Sequence, residues 1–224
     1  MSLTHEEAKK IMHEAVLLRE ALNFDEAYKL LDKAKGAFED LADLYQASEC
    51  INHIAYTKRL QAKLLLEEGH KLALEALNLT TTNSLKTGSA YRAVISLSSA
   101  LEMFEQELTM SKKLLEQTVK PANKADIMQF ISYAQLRTGD VNTAYQSIQQ
   151  ALSLINEGWE TEVEPARSVW KSSILLTKSL IEYNLGKVQD SKQTATLALD
   201  VAKQSVSKAR ILQAEKLIQF LDTL

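Results

Sequence analysis

Thr138-Gly139-Asp140, followed by Val141-Asn142-Thr143-Ala144-Tyr145-Gln146-Ser147-Ile148-Gln149-Gln150-Ala151-Leu152, is the stretch that decides the fold. Its first three residues break two helices. Behind the break, Ala144, Ile148, Ala151 and Leu152 recur at spacings of three and four, which is one stripe of an amphipathic helix. A break of two or three residues makes the flanking helices fold back antiparallel, as an αα-hairpin. The same arrangement surrounds Leu185-Gly186-Lys187, with Ser191, Ala195, Ala198 and Leu199 behind it. It also surrounds Asn23-Phe24-Asp25, where Asp25 is the expected cap and Ala27, Leu30, Leu31, Ala34 and Phe38 form the stripe. Ahead of that break, Ala8, Ile11, Ala15, Leu18 and Leu22 give the preceding helix.

Composition agrees with helix throughout. The 224 residues include 6 Gly and 2 Pro, where average usage would supply about 27 of the two together. Sheet folds need turns every few residues, and turns draw on these residues. An all-β fold is therefore close to excluded. The hydrophobic fraction of 46% is that of a folded chain with a sizeable core. A net charge of -3 gives no footprint for duplex nucleic acid. No stretch approaches a membrane span, and Met1 to Lys10 holds no apolar signal core. The single cysteine, Cys50, cannot form an internal disulfide, so a reducing, cytoplasmic location is expected.

The hairpins match one another residue by residue. Small residues recur at Ala15, Ala27 and Ala34, at Ser132, Ala144 and Ala151, and at Ser179, Ser191 and Ala198. Large apolar residues Ile11, Ile51, Met128 and Leu175 precede the small Ala15, Ala55, Ser132 and Ser179 by four. Small residues at fixed points let paired helices approach closely. Between the clear hairpins, helices near 45–66 and 89–106 read as first helices, and those near 70–79 and 107–119 as their partners. Gly69 reads as a helix end. Polar or acidic loops are expected at 80–88, 120–123 and 156–165, the last carrying Trp159 among four glutamates.

This pattern resembles the tetratricopeptide repeat, a helix-turn-helix unit of roughly 34 residues. Gly139 and Gly186 match that family's turn glycine. The early Trp and closing Pro of the family are absent, and the step from Ala144 to Ser191 is longer. The resemblance implies an all-α, right-handed α-α superhelix of about five hairpins forming one domain over 1–224, with 206–224 as its C-terminal capping helix. It also implies a concave groove lined by the first helix of each hairpin. Carried over by position, the groove residues are Met12, Val16 and Arg19, then Asn52, Tyr56 and Arg59, then Gln129, Tyr133 and Arg137. The last two sets repeat a polar-aromatic-basic order suited to contact area and carboxylate pairing.

Chemistry is sparse by comparison. There is no phosphate-binding glycine loop, and His5-Glu6-Glu7 lacks the second histidine of a zinc helix. Glu67-Glu68-Gly69-His70 contains one Glu-x-x-His, where a di-metal bundle needs two plus further glutamates. Cys50 lies on an apolar face, with His53 three residues on as its one candidate activator. No catalytic residue, metal site or cofactor is expected. The sequence reads as a protein-interaction module that holds a peptide or helix of a partner, without nucleic acid or membrane. The alternative is a regulatory or sensor helical-repeat domain, of a signalling or transcription-regulating system, binding a peptide or small ligand.

Overall fold

A computed structural model describes residues 3–83, 86–205 and 207–224. Among them are ten α-helices, one short 3-10 turn and no strand. The helices are α1 (His5–Glu20), α2 (Phe24–Asp40), α3 (Leu44–Thr82), α4 (Gly88–Ala100), α5 (Phe104–Glu116), α6 (Pro121–Arg137), α7 (Val141–Glu157), α8 (Ala166–Asn184), α9 (Val188–Gln204) and α10 (Lys208–Asp222). The chain divides into two compact units, residues 1–69 and 70–224.

In residues 1–69, α1 opens with a capping box. Thr4 accepts from the Glu7 amide, and Glu7 accepts in return from the Thr4 amide at 2.8 Å. α1 packs on α2, and Ala8, Ala34 and Phe38 from this pair form a core with Ala47 and Cys50 from the start of α3. α2 starts two residues earlier than a cap at Asp25 would place it. Asn23 is its cap, and Asp25 stands in its first turn.

In residues 70–224, neighbouring helices pair along the chain: α4 with α5, α6 with α7, α8 with α9, and α9 with α10. Isoleucines at 127, 131, 148, 155, 174 and 181 fill the main core. A second cluster places Ala214 of α10 against Leu176 and Val201.

One turn recurs at five places. Leu22, Ala42, Glu102, Gly139 and Gly186 all have positive φ, between 55° and 91°. After each, the next amide donates five residues back, as in Asn23 to the Leu18 carbonyl and Asp140 to the Gln135 carbonyl, both at 2.9 Å. The left-handed residue lets the chain satisfy the last carbonyls of one helix and start the next at once. Only two of the five turns use glycine, so the turns at Leu22, Ala42 and Glu102 carry no glycine mark in the sequence. α4 accordingly ends at Ala100, before the stop at 106 that the sequence suggests.

The nine small residues of the repeat pattern are all buried without exposure. The central assignments need correction. α3 runs unbroken through Gly69, so the break between 66 and 70 does not exist. Strong helix formers flank Gly69 on both sides, and one glycine costs a helix only about 1 kcal/mol relative to alanine. Ile51 and Ala55, expected at a packed crossing, are exposed. The loop expected from residue 80 begins later, because Thr80 and Thr81 bond back to helix carbonyls and extend α3.

Candidate functional site

In residues 70–224, helices α6, α8 and α10 meet around an open pocket of about 350 Å³. Gln129 enters it from α6. Ser173, Leu176, Thr177 and Leu180 line it from one face of α8, at helical spacings. Arg210, Gln213, Lys216 and Leu217 complete it from α10. At its floor, the Gln129 side-chain amide donates to the Thr177 hydroxyl at 2.9 Å, and both side chains are buried. A buried amide and hydroxyl that satisfy each other avoid most of the cost of burial. The Gln129 carbonyl oxygen and the Ser173 hydroxyl remain beside three leucines.

The positive side of this pocket is uncompensated. Arg210 is half-buried, and burial lowers its guanidinium below the ordinary arginine range. Its Nη1 donates to the neutral Gln213 at 2.7 Å. No carboxylate lines the pocket. A second depression, formed by α7, α8 and α9, has the opposite character. There Lys178 pairs with buried Glu182 and also donates to Thr194 at 3.1 Å, while Thr194 donates to Glu182 at 2.7 Å. Lys178 is thus neutralised within the protein, while Lys171 on the same lining stands over the Trp159 ring.

The other expected groove residues fall in different surroundings. Tyr133 and Arg137 lie further along α6 and turn to the start of α5. Tyr133 meets Phe104 edge to face at 6.5 Å. The Arg137 guanidinium sits 5.0 Å over the same ring and 3.4 Å from Glu102. Neither lines the pocket that holds Gln129. In residues 1–69, Tyr56 and Arg59 are exposed and share a shallow depression of about 260 Å³ with Leu60 and Lys63. Asn52 donates to Glu49 at 3.2 Å. Arg19 is held by Glu20 at 2.6 Å and by His53 at 3.4 Å. Met12 and Val16 are half-buried, and Met12 packs against the α1–α2 core.

Four sequence candidates acquire definite surroundings. Cys50 is fully buried, and burial, with Glu49 nearby, pushes its thiol up to about 11. His53 faces Arg19 instead, and burial and that cation lower its pKa. His70 is buried with its Nε2 3.2 Å from the Ser98 hydroxyl. Trp159 is half-buried, with Arg167 at 4.6 Å and Lys171 at 4.5 Å from its ring centroid. The chain's own cations therefore stack on this ring. Among the described residues, no helix is long and apolar enough to cross a membrane.

Sequence reasoning found Gln129 but missed the α8 and α10 residues around it. The α8 register was available from Leu175 and Ser179. α10 has no second hairpin helix to align with, so the spacing of Arg210, Gln213 and Leu217 on one face passed as that of an ordinary cap. Comparison with protein families finds none that matches this chain, and no curated protein matches it either.

Proposed function

We propose that the chain is a tetratricopeptide-like interaction module that holds a peptide or helix of a partner protein against the α6–α8–α10 face. The supporting observation is the pocket itself, where leucines and a satisfied buried polar pair stand beside unspent donors and cations. Such a mixture of apolar floor and few fixed polar groups is what recognition sites use. The pairing of successive helices in 70–224 supports a right-handed stack of hairpins, whose first helices would form a continuous concave side. Tyr56 and Arg59 supply a second, shallower contact surface within residues 1–69. The pocket volume of about 350 Å³ also favours one further reading, a regulatory domain occupied by a small ligand, since such sites start near ~300 Å³.

The test immobilises the full chain in a native lysate, beside a Leu217→Trp variant that fills the pocket. Retained proteins are identified by mass spectrometry. A protein held by the first and released by the second is expected. Equal retention by both sinks the assignment of this face. A small molecule co-purifying with the unaltered chain alone, seen by native mass spectrometry, moves the conclusion to the regulatory reading.

A further inference from the structure

Four arginines lie in residues 70–224: Arg92, Arg137, Arg167 and Arg210. Three have a carboxylate partner. Arg92 pairs with Asp126, Arg137 with Glu102 at 3.4 Å, and Arg167 with Glu164 at 2.9 Å. Among the described residues, Arg210 has no carboxylate within 4.0 Å. It is nevertheless half-buried at the mouth of the pocket. A desolvated cation without a counter-charge is costly to keep. Lys216 adds a second unpaired cation on the same rim.

We propose that this pocket reads a carboxylate set beside an aliphatic side chain, so that the bound segment presents Asp or Glu next to Leu, Ile or Val. This rests on the peptide-binding reading above. Arg210 spends Nη1 on Gln213, which leaves Nε and Nη2 as a parallel pair of donors. A planar carboxylate matches that fork with two charge-assisted bonds. Lys216 supplies a mobile second charge. Leu176, Leu180 and Leu217 lie directly inside the rim, so the anion must arrive on a segment that also buries an aliphatic group. Gln129 and Ser173 offer polar atoms to the segment's backbone, which fixes its direction across the floor. The α7–α8–α9 depression is lined by two lysines, but Glu182 already occupies Lys178 and the Trp159 ring faces Lys171, so neither is left without a partner group.

The experiment pans a display library of random hexapeptides, flanked by constant sequence at both ends, against the full chain. Enriched sequences should place Asp or Glu within two positions of Leu, Ile or Val. In Arg210→Gln/Lys216→Gln the acidic preference should disappear while the aliphatic one persists. A synthetic enriched peptide should bind that variant about tenfold or more weakly, the loss of one charge-assisted contact. Unchanged circular dichroism melts show that the variant is folded, and each single substitution is measured alongside. Enrichment without acidic preference, or a preference that survives the double substitution, overturns the carboxylate assignment and leaves the peptide reading standing. The peptide reading fails separately, if no sequence is enriched over the pocket-filled Leu217→Trp chain.

Discussion

Hairpins α4–α5 and α6–α7 are built on the same turn and differ in what stands where their helices cross. Counted from the left-handed residue, the crossing positions of α6–α7 are Ser132, Ala144 and Ala151. In α4–α5 they are Ile95, Glu107 and Leu114. Ser132 donates to the Ala144 carbonyl at 2.7 Å across the first crossing. α8–α9 repeats this geometry, with Ser179 and Ser191 donating to each other's carbonyls at 2.9 and 2.8 Å. Small side chains thus bring two backbones close enough for one residue's hydroxyl to reach the other helix. In α4–α5, Glu107 occupies that place fully buried, and neither carboxylate oxygen nor the Ser111 hydroxyl one turn on finds a partner. Burial pushes the Glu107 carboxyl up to about 7, opposed weakly by Ser99 without a well-formed hydrogen bond. The turn alone is therefore enough to make a hairpin, and the small residues decide how intimately it closes.

The strongest way to break this comparison is to move the odd residue. Ala144→Glu would put an unpartnered carboxyl into the tighter crossing, where it is both too large and unsolvated. We expect a loss of about 3 kcal/mol or more. Urea unfolding followed by Trp159 and Trp170 fluorescence reports on the unit that contains both. An unchanged midpoint would mean that the two crossings are equally loose.

A second test uses pH. Because the folded state raises the Glu107 pKa from 4.5 to about 7, folding favours the protonated form. Its contribution is complete below pH 4.5, declines as pH rises through 7, and is gone above it. Stability should fall by roughly 1–3 kcal/mol across that interval. Glu107→Gln should flatten that part of the profile. A slope that persists in Glu107→Gln assigns the titration to another group.

The smallest effects concern the shared turn. Gly139→Ala places a side chain at φ 91° and should cost about 1 kcal/mol. Glu102→Gly relieves a left-handed glutamate and should gain up to about 1 kcal/mol, offset by backbone entropy. The exposed bond to Arg137 is worth little against that. Thermal melts of the pair decide it, and two shifts of the same sign would contradict the common turn.

The same contrast explains what could be read without coordinates. Helical class and three hairpins were legible, because Gly139, Gly186 and the Ala–Ser pattern write packing constraints directly into residue type. The α4–α5 hairpin was misplaced at its turn because Glu102 and Glu107 stand where the pattern asks for glycine and a small residue. Nothing local in Glu67–Leu77 distinguishes a helix end from a tolerated glycine, since both begin with good helix formers around Gly69. At the pocket, Gln129 was legible by its place on a first helix. The charge of Arg210 was visible, but its lack of a partner is a three-dimensional fact. Pairings such as Arg92 with Asp126 span 34 positions of chain and cannot be subtracted in advance.

The burial of Cys50 has a practical corollary. A thiol that is both enclosed and hard to ionise reacts with alkylating reagents only when its surroundings open. Cys50 is the chain's one cysteine and belongs to residues 1–69, whereas both tryptophans belong to 70–224. Pulsed alkylation and indole fluorescence therefore give the unaltered chain two independent clocks, one for the breathing of each unit. Whether those clocks keep the same time is a question that needs no engineered label.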